Sequence, residues 1–377
     1  MKGLYVIHAP YNNDMLSGLE KKVLFQIGIM NEYGLNCVDY VQNTGDRGIP
    51  HPIAAVLRRL PFSNLSPKWE FNPNFLDQNY IYMRRTPAFN SAMRRILGQI
   101  KKENPKIKII VEIPTYPYDQ EYLGLSGKIM QLKDSWNRTK LSGIIDRFAV
   151  INDGSPMQDL WGIPVIPFIN GIDFNKVSPK CVKNMSGEIH LLCLSSFAFW
   201  TGYDRLLVGL ERYYQNGGTK NFIVDLAGDG PELSNYKEIV ANSQILPKHV
   251  VFHGWISGER LKKIYNQADI GVGPLGISRW KITVSSSLKT REYLAKGLPL
   301  MTSGYVDVLT NSNFPYHYEF PNDATPIDME QVAEFYDRVY GNAETNETII
   351  AEVRRFGQKK VDMRMTFKPV IDYIMNN

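Results

Sequence analysis

The residues best suited to chemistry lie in one run, Ser285-Ser286-Ser287-Leu288-Lys289-Thr290-Arg291-Glu292-Tyr293-Leu294-Ala295-Lys296-Gly297-Leu298-Pro299. Hydroxyl residues open it, good helix formers fill it, and Gly297 followed by Pro299 closes it, which predicts a short helix leading into a strand. The first N–H groups of such a helix lack intrahelical partners and carry partial positive charge, so they suit a phosphate, and Lys289 adds a full charge nearby. On helical spacing Ser285, Lys289 and Glu292 share a face, and a rise of about 1.5 Å per residue puts Glu292 roughly 10 Å from Ser285. One helix would then hold both the phosphates and the ribose hydroxyls of a nucleotide. A capped surface helix with a solvated Glu292 is the plainer alternative.

A second set follows the expected strand Ile107 to Ile113, which runs into Pro114-Thr115-Tyr116-Pro117-Tyr118-Asp119-Gln120-Glu121. Loops at the carboxyl ends of strands are where open α/β sheets bind ligands. Glu112 and Asp119 are therefore candidates for a general base or acceptor ligands, against a role as caps or solvated carboxylates. The histidines at 8, 51, 190, 249, 253 and 317 have no metal-ligand spacing, and there is no Asp-x-Asp, so metal-independent chemistry is expected. Cys37, Cys181 and Cys193 suggest neither a disulfide framework nor a zinc site.

The elements that must position these residues alternate in type. Strand 3–8, loop 11–18, a helix from Leu19 to about Tyr33 and strand 35–41 form a right-handed βαβ unit, with Ser17-Gly18 just ahead of the helix. No GxGxxG is present, which argues against a dinucleotide oxidoreductase. Residues 43–78, rich in Pro, Asn, Gly and Ser, read as long loops. The pattern resumes with strand 80–83, helix 91–102, strand 107–113, a helix around 127–136 and strands at 148–152 and 164–169. After Asn170-Gly171-Ile172-Asp173 it repeats: strand 189–194, a helix carrying Leu206, Leu207 and Leu210, strand 222–227 into Gly228-Asp229-Gly230-Pro231, strand 250–253, helix 259–266, strand 270–272, the Ser285 helix, and a last strand at 300–302. A chain of 377 residues with 44% hydrophobic and 21% charged residues suits two soluble domains. No run is apolar enough for a membrane span, and a cytoplasmic protein is expected. The net charge of +5 lies entirely in residues 1–170, which hold 20 Lys/Arg against 15 Asp/Glu, whereas residues 171–377 hold 23 of each. The pairs Arg58-Arg59, Arg84-Arg85, Arg94-Arg95 and Lys101-Lys102 could meet anionic lipid, a pyrophosphate-bearing substrate or nucleic acid, or be ordinary solvated faces.

Six segments in order carry a resemblance: Asn170-Gly171-Ile172-Asp173, Gly202-Tyr203-Asp204, Ala227-Gly228-Asp229-Gly230-Pro231, Phe252-His253-Gly254, Ala268-Asp269-Ile270, and Glu292 through Pro299. Together they resemble glycosyltransferase family 4. Phe199-Trp200-Thr201-Gly202-Tyr203-Asp204-Arg205-Leu206 with Leu288-Lys289-Thr290-Arg291-Glu292-Tyr293-Leu294 is similar to a bacterial surface-polysaccharide branch. The resemblance implies an α/β chain of the GT-B fold: two Rossmann-like domains with parallel sheets facing a central cleft. Residues 1–171 would bind the acceptor, residues 172–358 the donor, and residues 359–377 would supply a helix packing back on the first domain.

It further implies a retaining transferase using no cofactor, with a UDP- or GDP-type sugar as donor and a saccharide or lipid-linked saccharide as acceptor. Nucleic acid is not an expected partner; peripheral contact with an anionic membrane is. Glu292 matches the family's ribose-binding Glu, Gly18 its phosphate-side glycine loop, Gly254-Trp255 its base-binding region and Gly230 the turn beside it. Ser285, Ser286, Leu288, Lys289 and Arg205 lie in the matching donor segments. Three departures from the pattern stand out. Val284 stands where the family has a sugar-binding Glu, Ser196 and Thr201 stand where it often has a basic pair, and Glu112, Tyr116 and Asp119 occupy the loop of its catalytic His. These departures leave open a non-catalytic partner of another transferase, or an epimerase on the same fold.

Overall fold

The computed structural model describes residues 1–8, 11, 16–42, 53, 69–85, 88–122, 124–152, 156–182, 187–280, 284–341 and 345–376. The chain divides into two compact units, residues 1–169 with 366–377, and residues 170–365.

In the first unit, β1 (Gly3–Ile7), α1 (Gly18–Glu32), β2 (Cys37–Val41), β3 (Tyr80–Arg84), α2 (Ser91–Glu103), β4 (Lys108–Ile113), α3 (Gly124–Arg138), β5 (Arg147–Ile151), β6 (Asp159–Leu160) and β7 (Ile163–Phe168) follow one another. They build a seven-stranded sheet in the order β2-β1-β3-β4-β5-β7-β6, parallel except where the short β6 pairs with β7. Strands β1, β3 and β4 are almost wholly buried, as continuous apolar runs covered by helices on both faces must be. The helix starts follow side-chain chemistry: Ser17 and Glu20 form a reciprocal capping box on α1, and Asn90 accepts from Met93 N on α2. The C-terminal helix (Lys368–Met375) belongs to this unit. Phe367 stands edge-on to Tyr82 at 5.6 Å and tilted against Phe168 at 5.8 Å. Lys108 Nζ donates to the carbonyls of Tyr373 (2.9 Å) and Ile374 (3.0 Å), satisfying acceptors that the end of a helix leaves over.

The second unit repeats the plan with β8 (Glu188–Ser195), α4 (Tyr203–Gln215), β9 (Asn221–Gly228), α5 (Leu233–Ala241), β10 (Val250–Gly254), α6 (Gly258–Gln267), β11 (Ile270–Val272), α7 (Leu288–Lys296), β12 (Leu300–Ser303), β13 (His317–Phe320), α8 (Met329–Tyr340) and α9 (Asn346–Val361). Its six strands run parallel in the order β10-β9-β8-β11-β12-β13. Strand β13 was not expected; its four residues His-Tyr-Glu-Phe are too few to show a period, and pairing with β12 decides them. The chain returns to the first unit at Thr366 rather than at residue 359. Helix α9 runs on to Val361, and the following backbone still pairs in the second unit, where Ile172 N donates to Val361 O and Met363 N to Ile172 O.

Candidate functional site

Among its parallel strands, each sheet reverses its strand order once. In the second unit the chain moves outward from β8 through β9 to β10, then crosses back to β11 on the other side of β8. Outside the carboxyl ends of the two strands flanking such a reversal, no connecting loop crosses, and a crevice for ligand opens. The loops leaving β8 and β11 are therefore the place to look. They are laced together: Leu275 N donates to Thr201 O at 2.8 Å and Gly276 N to Trp200 O at 3.2 Å. Gly202 makes this approach possible, since with φ +66 a Cβ there would stand 2.4 Å from Gly276 N. Arg279 grips both oxygens of Asp204 (2.9 and 2.6 Å) and donates to Phe199 O (3.2 Å). Trp200 and Trp280 stack across the two loops, with centroids 4.1 Å apart and planes 18° apart. Among the described residues, the buried Nε1 of Trp280 finds no acceptor. Sequence reasoning missed this aromatic pair because its members are 80 positions apart.

The loop after β11 leads into α7, which begins at Leu288 with Ser287 as its cap; Ser287 Oγ accepts from Lys289 N at 3.2 Å. The expected helix was thus started too early. Ser285 is a strand-like bridge residue, its N–H donating to Tyr305 O and its carbonyl accepting from Asp307 N, because pairing with residue 306 outcompetes a helical turn. It does not share a helical face with Lys289 and Glu292. Those two do: Lys289 Nζ lies 3.1 Å from Glu292 Oε2, both partly exposed. Burial, then the Glu292 carboxylate, push the Tyr265 phenol well above its ordinary value, which places that carboxylate beside Tyr265. Val284 and Leu288 are half-buried in the same stretch.

Other expected donor residues are occupied by the fold. Arg205 is buried and spends its guanidinium on the carbonyls of Thr325 (2.6 Å), Leu275 and Pro321 (3.1 Å), Ser303 Oγ (3.0 Å) and Asp323 (3.2 Å); it pins loops and has no donor left for a phosphate. The Thr201 hydroxyl turns inward to Ala198 O (2.7 Å) and Tyr236 OH (2.8 Å). Ser286 Oγ accepts from Asn170 N and from Arg291 (3.0 Å each). Ser196 alone of these faces solvent, at the carboxyl end of β8. Gly230, φ +151, packs so closely that a Cβ would lie 2.7 Å from Phe197 O, whereas Gly254, φ +67, has open space around it and Trp255 is 45% exposed. Arg291, which no spacing or motif singles out, is fully buried and ties α7 to Asn170 O (3.0 Å), Ser286 and Asp307.

In the first unit the reversal lies between β1 and β3, whose ends carry His8 and Arg84. Glu112 is not a candidate base. It is wholly buried and accepts from Lys22 Nζ (2.8 Å), Gln26 Nε2 (2.8 Å) and Tyr82 OH (2.7 Å). Burial would raise its carboxyl, but Lys22, Arg84 and these hydrogen bonds hold it down to about 2. Such a group takes up no proton near neutral pH. Asp119 is engaged by Arg138 at 2.7 Å, and Tyr116 packs against the hydrophobic core. Gly18 is the first residue of α1. His8, which spacing arguments passed over, has its imidazole lowered to about 4, chiefly by burial, so it is neutral at the end of β1. It stands edge-on to Trp69 at 5.8 Å. Of the basic pairs, Arg85 is bound to Glu121 (2.7 Å) and Lys101 to Asp146 (2.8 Å); Arg58 and Arg59 lie outside the described residues.

Two parallel-sheet α/β units of this kind make up the GT-B fold, and comparison with known structures gives the same class. The chain is similar to sucrose-phosphate synthase from Thermosynechococcus elongatus (12% identity, TM-score 0.63, 99% of this chain and 98% of that one). It is also similar to an alpha-glucosyltransferase in complex with UDP (13%, 0.61, 100% and 99%) and to Anabaena Alr3699/HepE in complex with UDP-glucose (12%, 0.57, 99% and 98%). At such identities the likeness is one of fold. No protein-family model and no curated protein sequence matches the chain.

Proposed function

We propose that this protein is a retaining glycosyltransferase that moves a sugar from a nucleoside diphosphate sugar to a hydroxyl of a saccharide or lipid-linked saccharide, without a metal, in the building of a surface polysaccharide. The observation that carries the nucleotide part is the position of α7. Its capped N-terminus follows the loop at the β8/β11 reversal, and its one partly exposed carboxylate, Glu292, is poised beside Lys289. A carboxylate accepting from two ribose hydroxyls makes strong charge-assisted bonds. The fold neighbours complexed with UDP and UDP-glucose support a uridine or similar donor. In a retaining transfer the departing diphosphate stays beside the acceptor, so stabilising its growing charge matters more than a strong protein base. The N–H groups opening α7 and the Lys289 ammonium supply that, and the burial of Glu112 agrees with a mechanism that does not call on it.

Glu292→Ala should weaken nucleoside diphosphate binding at least tenfold, about 1.4 kcal/mol. Calorimetry with UDP and GDP showing unchanged affinity would refute the ribose assignment. One observation favours a second reading, a non-catalytic nucleotide-sugar-binding partner. Thr201 turns inward, Ser196 is uncharged and Arg205 is consumed, so the usual cationic support for the diphosphate is thin. Binding without turnover across donor and acceptor panels would select it.

A further inference from the structure

Helix α3 (Gly124–Arg138) is inside out. The residues it buries are Lys133, Asp134 and Asn137. Asp134 accepts from Phe89 N and Tyr118 OH (2.8 Å each), and from Arg138 at 3.2 Å. Arg138 in turn lies over the Trp161 ring at 4.6 Å. The residues the helix leaves in solvent include Leu125 (79% exposed), Leu132 (65%) and Trp136 (61%). At about 100° per residue, Leu125, Ile129, Leu132 and Trp136 fall within an arc of roughly 60°. A surface helix of a globular protein normally turns such a stripe to the core, and large apolar side chains left outside in a row mark a surface for another phase or partner.

The edges of the stripe say which. Lys128 lies about 60° round the helix from Leu125 and is exposed. Lys140, also exposed, folds back over the Trp136 ring with its Nζ 3.3 Å from the centroid. The one carboxylate on the helix, Asp134, is buried on the opposite side. An apolar stripe with a Trp near one end, one ammonium group at its edge and another over the Trp ring matches the acyl–headgroup boundary of an anionic bilayer, where the rings and alkyl groups enter and the lysines meet headgroup charge. A protein partner fits less well. The stripe's four side chains, even with a Trp worth about 150–250 Å² when buried, fall short of the roughly 800 Å² per partner of a stable protein interface.

We propose that the outward face of α3 docks the protein on an anionic membrane surface. This stands independently of the transferase reading, although a lipid-linked acceptor would make use of it. Co-sedimentation of the full chain with phosphatidylcholine vesicles, and with vesicles containing phosphatidylglycerol, tests it. Wild type should partition onto the anionic vesicles, more weakly as salt rises from low to physiological. The triple variant L125S/L132S/W136S should lose at least tenfold in partition, and K128Q/K140Q should lose affinity for the anionic vesicles only. Because all five side chains are exposed, the thermal midpoint and nucleotide affinity should stay unchanged, and the nucleotide titration reports on the transferase reading separately. Absence of wild-type partition, or undiminished partition of the triple variant, would overturn the proposal. So would a triple variant that keeps its vesicle binding but shifts from dimer to monomer in sedimentation, which would give the stripe to a second copy of the chain.

Discussion

Arg291 shows how much a single side chain can organise. Its guanidinium holds the first residue of the second unit, the loop before α7 and Asp307, and the Arg291 and Asp307 side chains have almost no solvent contact. Removing one member of a buried ion pair leaves the other uncompensated, at a cost of about 3–5 kcal/mol. Arg291→Ala should therefore destabilise the second unit by that amount, read as a lowered urea midpoint at unchanged slope, and weaken nucleotide binding secondarily. Arg291→Met with Asp307→Leu should recover most of the stability, since neither charge is then stranded. If Arg291→Ala alone unfolds at the wild-type midpoint, the pair does not hold the loop. Glu112 teaches the complementary lesson: a carboxylate at a strand end looks catalytic in sequence and proves to be the acceptor at the centre of a buried polar network.

At the scale of elements, the loops after β8 and β11 act as one piece only because Gly202 admits Gly276 against its Cα. A Cβ at position 202 would meet backbone on one side and would favour negative φ on the other, so both effects push the loops apart. Gly202→Ala is expected to cost about 1–3 kcal/mol, to unstack Trp200 from Trp280, and to reduce affinity for a nucleotide sugar more than for the free nucleotide. Near-ultraviolet circular dichroism, which reads the coupled indoles, checks the first step. An unaltered indole signal with full stability would show that the strands alone position the loops.

Across the whole molecule, stability should depend on acid in a defined way. Burial lowers the imidazoles of His8 and His317 to about 4, one in each unit. Their unfolded values lie near 6.5, so below that pH the unfolded chain binds more protons than the folded one. The stability that each neutral histidine permits is complete above about pH 6.5 and is lost as pH falls toward 4, up to about 3 kcal/mol apiece. Glu112, held down to about 2, adds a second loss as pH falls from its ordinary range near 4.5. Urea titrations at pH 7.5, 5.5 and 4 should show a steady decline, and His317→Gln should flatten it between pH 6.5 and 4. A stability that rises on acidification would contradict the buried neutral histidines.

The linear order of residues was enough to determine the alternation of strand and helix, the closure of α7 at Gly297 (φ +72), and the common helical face of Lys289 and Glu292, because period, caps and i,i+3 spacing are local properties. It could not determine which polar residues would be spent inside. Ser285, Thr201, Arg205 and Glu112 each met a partner far away in sequence, and a buried polar group takes whatever partner the packing brings. Nor did spacing reveal the Trp200–Trp280 stack, the buried Arg291, or the inverted face of α3. The period of α3 is the same whichever side turns inward. Asp134, bonding Tyr118 and the backbone of Phe89, fixes that side, and tertiary structure alone brings those two to it.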